Sequence, residues 1–214
     1  MKIKYHITLS VLLISITTSC LGDKQAADVS EINNTDFVNT DFKENRINYS
    51  KDMSACENMS ISDIAVMYNV SEDIIMTEDV SKSNRRAPNS KPICSFFIKD
   101  GENDFEWLRG SMSIEREISK DEPNYENAKI TGSGEEFEEA WALSKSISKS
   151  SEWVKGIGMA AIWNEKNKEL KIKFKGYTLL VNPMKNRMNK AEVAKNRDYK
   201  KIAIAMAKAA GYIN

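Results

Sequence analysis

A chain of 214 residues, 41% of them hydrophobic, is long enough for one domain that buries a sizeable core. Its 31 Lys and Arg balance 31 Asp and Glu, which excludes a strongly charged molecule, although the charge is unevenly spread. The single histidine is His6, so a chain that loses its first residues also loses Ser-His and Cys-His relays and His-ligated zinc sites.

The chain opens with Lys2 and Lys4, an apolar run from Ile7 to Ile16, and the small residues Thr17, Thr18 and Ser19 before Cys20. This is the layout of a secretory signal peptide over residues 1–19, its apolar run being ten residues where a spanning helix needs roughly 20. A cysteine after small residues, followed by Gly22-Asp-Lys-Gln25, resembles the lipobox of bacterial lipoproteins. The usual Leu three residues before the cysteine is replaced by Thr17. The resemblance implies a diacylglycerol on Cys20, cleavage before it and membrane attachment through that lipid. Leu21 after the cysteine favours the outer membrane over the inner one, by analogy with enteric sorting.

Residues 21–50 mix Asp, Asn, Thr, Ser and Lys with scattered single hydrophobes and show no sustained period. They read as a flexible tether with a reach of about 30 Å, which puts the start of a single domain at Lys51, for domain bounds of 51–214. Ser60-Ile-Ser-Asp63 starts a helix over 61–68 with Ile61, Ile64, Ala65 and Tyr68 on one face. A strand is expected at 73–78, an exposed loop at 82–91 around Arg85, Arg86 and Pro88, and a further strand at 93–98. Met112, Ile114, Arg116 and Ile118 alternate with Ser113, Glu115 and Glu117, the period of a strand with one wet face.

Ser133-Gly-Glu-Glu136 reads as a capping box opening a middle helix whose inner stripe is Phe137, Ala140, Trp141 and Ser144. Glu135, Glu136, Glu138 and Glu139 crowd its positive end, and Lys145 and Lys149 its negative end. Segments 154–163, 170–174 and 177–181 then read as a three-stranded meander. In its middle strand Lys171, Lys173 and Lys175 alternate with Ile172 and Phe174, which predicts a solvated lysine face opposite Glu115 and Glu117. Asn189 with Glu192 precedes a terminal helix carrying Tyr199, Ile202, Ala203, Met206, Ala209 and Ala210, closed by Gly211. The expected fold class is α+β: an antiparallel sheet of about five strands packed by a middle and a C-terminal helix.

Removing residues 1–19 leaves 29 basic against 31 acidic residues. With Cys20 lipidated, Cys56 and Cys94 remain as an even pair in an oxidising compartment and are expected to form a disulfide. Residues 166–214 hold 13 Lys and Arg against Glu169, Glu192 and Asp198. The candidate binding surface is therefore Lys171, Lys173 and Lys175 with Arg85 and Arg86. The favoured reading is that this charge complements the acidic part of the same domain and binds no nucleic acid. Ser146-Ile-Ser-Lys149 matches a bare Ser-x-x-Lys pattern without any Lys-Thr-Gly, and Gly156-Ile-Gly158 is too short for a dinucleotide loop. No metal, cofactor or catalytic residue is expected.

Cys56-Glu57, Cys94 and Gly156-Ile-Gly-Met-Ala-Ala-Ile-Trp163, in this order among a short helix, a middle helix, a meander and a terminal helix, resemble uncharacterised bacterial lipoproteins with a PsbP-like domain. Members usually carry Asp after the second glycine, where this chain has Met159, so no role of that Asp transfers. The resemblance implies a PsbP-like fold and a noncatalytic lipoprotein that binds a small ligand or an envelope protein. The alternatives are a carboxylate-dependent hydrolase of envelope glycans and a partner-inhibiting, immunity-type lipoprotein.

Overall fold

The computed structural model describes residues 34–80, 91–186 and 196–214. Cys20, Arg85, Arg86 and the Asn189/Glu192 helix start lie outside the described residues. Helix α1 (Ile61–Tyr68) forms where expected, because the Ser60 Oγ accepts the Asp63 N–H at 3.0 Å at its start and Asn69 takes the left-handed conformation at its end. A 3₁₀ turn (Glu72–Ile74) leads into β1 (Ile75–Asp79), followed by β2 (Ile93–Ile98) and β3 (Leu108–Arg116). Helices α2 (Tyr125–Thr131) and α3 (Glu138–Ser146) come next, then β4 (Ser151–Trp153), β5 (Ala160–Asn164), β6 (Glu169–Phe174) and β7 (Tyr177–Lys185), and finally α4 (Tyr199–Ala209).

The fold is α+β with one open antiparallel sheet in the order β1-β2-β3-β7-β6-β5-β4. The sheet has seven strands among the described residues, not about five. One extra strand, β4, lies just ahead of the segment expected to run straight from 154 to 163, of which only the end forms β5. Gly156 and Gly158 take φ +76° and +59°, which turns the chain between β4 and β5 and lets the two pair antiparallel. Helix α2 was not expected, since its polar sequence Tyr-Glu-Asn-Ala-Lys-Ile-Thr buries only Tyr125 and Ala128.

The middle helix also starts later than the capping box implies. Phe137 occupies the N-cap position without a side-chain cap. The Ser133 carbonyl instead accepts the Ile118 N–H at 3.0 Å, and Ile118 bridges Gly134, so this backbone is committed to the segment after β3 before the helix begins. Trp141 Nε1–H donates to the Gly132 carbonyl at 3.0 Å, tying α3 back to the turn after α2.

The two sheet faces are chemically unlike. One face carries Cys94, Phe96, Met112, Ile114, Trp163, Leu170, Ile172, Phe174, Leu179 and Val181, all fully buried beneath α1 and α4. A helix-facing sheet of this kind supplies the main core. On the other face a smaller cluster joins Phe137 and Trp141 of α3 to Ala160, with Phe37, Val38, Trp153 and Ile162 packed around it.

The folded unit begins well before Lys51, contrary to the expected boundary. Phe37 stacks on Trp153 with ring centroids 3.9 Å apart, Phe42 meets Phe174 and Tyr49 meets Tyr177. Asn45 Nδ2 donates to the Lys175 carbonyl at 2.8 Å and its Oδ1 accepts the Lys175 N–H at 3.0 Å. The Tyr177 hydroxyl donates to the Ile47 carbonyl at 2.7 Å, and Arg46 reaches the Ile213 carbonyl and the Asn214 side chain. Residues 37–49 are thus a strap across β4, β6, β7 and the end of the chain. Its anchors are isolated hydrophobes with no period, the pattern that reads as a tether.

The two hairpin glycines have different tolerances. A Cβ at Gly158 would stand 2.5 Å from the Lys173 carbonyl oxygen and 2.7 Å from Ile172 Cγ2, whereas one at Gly156 meets nothing within 4 Å. Gly158→Ala should cost about 2–4 kcal/mol, from left-handed strain plus overpacking, and Gly156→Ala about 1 kcal/mol from strain alone. Equal losses in urea unfolding of the two variants would contradict this packing.

Candidate functional site

The lysine strand is the first place to look for a binding surface, and register decides what it can do. Across the sheet Trp153, Ile162, Lys171, Leu180 and Ser113 form one row, and Ala160, Lys173, Thr178 and Glu115 the next. Both rows lie on the face that α3 covers. The predicted solvated lysine face is therefore corrected: alternation places the lysines on one face, and α3 closes that face over them.

Lys173 is 0% exposed. Its ammonium ion-pairs with Glu117, donates to the Gly134 carbonyl at 3.1 Å and sits 5.2 Å from the Phe137 ring centroid. A buried cation persists only when charge and hydrogen-bonding capacity are both satisfied, and these partners supply both. Lys171 Nζ lies 4.7 Å from the Trp141 centroid, and burial pulls its pKa below the ordinary lysine value despite attraction to Glu115 and Glu169. Lys175 is exposed and donates to the Lys43 carbonyl at 2.7 Å, holding the strap.

The expected pairing with Glu115 and Glu117 is realised in altered form, because β7 separates β3 from β6. Glu115 pairs with Lys91, while Glu117, just past the end of β3, reaches Lys173 across β7. Around α2 and α3, Glu136 pairs with Lys120 at 2.5 Å and with Lys129 at 2.8 Å. Arg116 grips both Glu122 carboxylate oxygens at 2.7 Å. Hydrogen bonds from Lys120 and Lys129 hold the Glu136 carboxyl at a pKa of about 2, against 4.5 ordinarily. The acidic cluster at the start of the middle helix is thus partly an ion-pair clasp.

A second place was not visible in the sequence. Asp52, Ser54, Cys56, Glu57, Thr77 and Asp79 line an open polar cleft of about 390 Å³. Cys56 and Cys94 are joined in a disulfide, Cα atoms 4.9 Å apart, with Cys94 fully buried in β2 and Cys56 at the cleft wall. The Ser54 hydroxyl donates to Asp79 Oδ2 at 2.5 Å and accepts the Cys56 N–H at 3.1 Å. Only Cys56-Glu57 stood out in the sequence here; Asp52, Thr77 and Asp79 are brought beside it by the disulfide and β1. Among the described residues no group of three or more His, Cys, Asp or Glu is placed to hold a metal ion. Among the described residues, no helix is long and apolar enough to cross a membrane.

The chain matches no family model, no curated protein and no solved structure. The residues that carry the family resemblance have visible structural duties. Cys56 and Cys94 form the staple, Gly156 and Gly158 turn the hairpin, and Ala161 and Trp163 are core, with Trp163 Nε1–H donating to Glu165 Oε2 at 2.8 Å.

Two outcomes test this assignment. Glu117→Gln leaves Lys173 buried without its counter-charge and should cost about 3 kcal/mol, whereas Lys173→Met, which keeps the volume and removes the charge, should cost less. A larger loss for Lys173→Met in chemical denaturation would mean that the cation itself is needed. For Glu136 the folded pKa lies below the unfolded one, so its stabilisation is present above about pH 4.5 and is lost as pH falls toward 2. The urea midpoints of the unaltered chain and Glu136→Gln should therefore differ near neutrality and converge in acid.

Proposed function

We propose that this chain is a lipid-anchored bacterial envelope protein whose domain, PsbP-like in organisation, binds a small polar ligand or an envelope partner without transforming it. The observation that carries the reading is the Cys56–Cys94 disulfide, which persists in exported, oxidising surroundings. It agrees with a signal layout ending at Cys20 and with a chain whose only histidine precedes that cysteine. The bilayer is then reached through lipid on Cys20, at the outer membrane.

Binding is favoured over catalysis by where the charged groups are spent. Lys171, Lys173, Glu117, Glu122 and Glu136 are engaged in holding helices to the sheet. The cleft beside the disulfide has carboxylates and hydroxyls on an open wall, which suits a polar or cationic group docking from solvent. Glu57 and Asp79 in that cleft also give the alternative its footing, a carboxylate-dependent hydrolase of envelope glycans.

The anchor is tested by Cys20→Ala, which should release the protein from membranes or leave it as the uncleaved precursor. Recovery of the variant with membranes at the cleaved mass would overturn the anchor. Retention of an envelope component by the immobilised chain, lost on Glu57→Lys, would support the cleft as the binding place. Release of soluble sugar from purified envelope glycan would favour the hydrolase instead.

A further inference from the structure

An open sheet has two edges, and this one treats them differently. Strand β4 is three residues long, its Ser151 N–H is taken by the Ser148 carbonyl at 3.0 Å, Lys200 pairs with Glu152 beside it and Phe37 stacks on Trp153. Strand β1, at the other edge, runs for five residues in unbroken register and contains no proline or lysine. Shortness, bulges, prolines and lysines are the usual devices that close an edge to pairing, and β1 uses none of them.

Register shows which backbone groups β1 leaves open. The Lys99 N–H donates to the Ile74 carbonyl at 2.8 Å, and these two residues stand opposite each other in the ladder that sets Ile75 against Ile98. Opposed residues in an antiparallel pair alternate between exchanging bonds and exchanging none. Ile74, Met76 and Glu78 therefore turn their backbone toward β2, and Ile75 and Thr77 turn theirs outward. The Ile75 N–H is spent on the Glu72 carbonyl. Among the described residues the Ile75 carbonyl and both the N–H and carbonyl of Thr77 have no partner. Thr77 also lines the polar cleft, so the open backbone and the cleft meet at one residue. Across the cleft, Cys56 is tied to Cys94, which stands opposite Asp79, and this fixes the 52–57 segment beside the edge. Of the described residues that line the cleft, Asp52, Glu57 and Asp79 are acidic and none is basic.

We infer that the free edge of β1 takes an extended segment of an envelope protein as an eighth strand, with Lys or Arg at alternate positions entering the cleft toward Asp52 and Glu57. The inference rests on the cleft being the binding place proposed above, and it names the kind of partner. In strand addition the backbone ladder supplies affinity whatever the sequence, and side chains of one parity supply selectivity. A second copy of this chain is the wrong occupant: two β1 edges side by side would bring Glu57, Glu78 and Asp52 of each against those of the other, and like charges across strands repel. The same acids that bar self-pairing favour a basic strand. The disulfide holds the cleft in place beforehand, so little ordering is needed on binding.

The test measures binding of the full exported chain to a blocked peptide of alternating Lys and Val, about eight residues long as an ordinary strand is. N-methylation of one alternate set of amides, the set facing β1, should weaken binding at least about tenfold, and of the other set no more than about twofold. Thr77→Pro removes an N–H that β2 does not use, so it should abolish binding while leaving the urea midpoint unchanged. Should that variant fold poorly, the two methylated peptides decide alone. Equal loss from both methylations means charge attraction without an added strand and overturns the inference. A dimer of the chain that Thr77→Pro dissolves gives the edge to a second copy and overturns it as well, and so does binding of no peptide. Acetyl-lysine amide reads the cleft separately: if it binds as tightly as the peptide and is lost on Glu57→Lys, the cleft stands as a binding place and the added strand falls.

Discussion

The ammonium of Lys173 is the point through which the α3 side of the molecule is held. It reaches a carboxylate from the segment after β3, a carbonyl from the α2–α3 connection and the face of an α3 ring. Two chain segments distant from Lys173 in sequence, one at Glu117 and one at Gly134 to Phe137, must be in place at once for that charge to be tolerated away from water, because an unpaired buried cation costs several kcal/mol. An apolar residue could fill the same volume, but it would accept many arrangements of the helix above it. The directional demands of one cation select a single placement for α3 and, through the tie from Trp141 to Gly132, for α2.

This organisation explains why the sheet is asymmetric. Its α1/α4 face is continuous aliphatic and aromatic packing, with Phe174, Tyr177 and Tyr212 gathered at one end. Its α3 face mixes Lys171, Lys173 and Thr178 with a few apolar residues, and so depends on specific partners more than on area. The first face supplies most of the hydrophobic stabilisation and the second supplies register, since slipping β6 by one residue would exchange the two lysines for Leu170 and Ile172.

The elements that could be read in the chain were those whose signals are local. Ser60 and the spacing of Ile61, Ile64, Ala65 and Tyr68 gave α1 residue for residue, and the Ile-Phe-rich run gave β2. The parity of the cysteines gave the disulfide. What escaped depends on partners far along the chain. Phe37, Phe42, Ile47 and Tyr49 are solitary hydrophobes whose meaning appears only beside Trp153, Phe174 and Tyr177. Period-two alternation states that Lys171 and Lys173 share a face, and is silent about Phe137 and Trp141 lying over it. The cleft likewise joins Asp52 and Glu57 to Thr77 and Asp79, and it takes the staple and the β1–β2 pairing to bring them together.

The strap has a kinetic consequence. Its long-range hydrogen bonds join residues 119 to 168 positions apart in the chain, from Asn39 with Gly158 to Arg46 with Asn214. Contacts of such sequence separation carry a large loop-closure entropy and form late, so their formation rate is low. A chain emerging from its first residues onward would therefore present the strap long before β6, β7 and residues 212–214 exist to receive it. Residues 37–49 must wait uncommitted, so closure of the structure is delayed until the last strands and the final residues are in place.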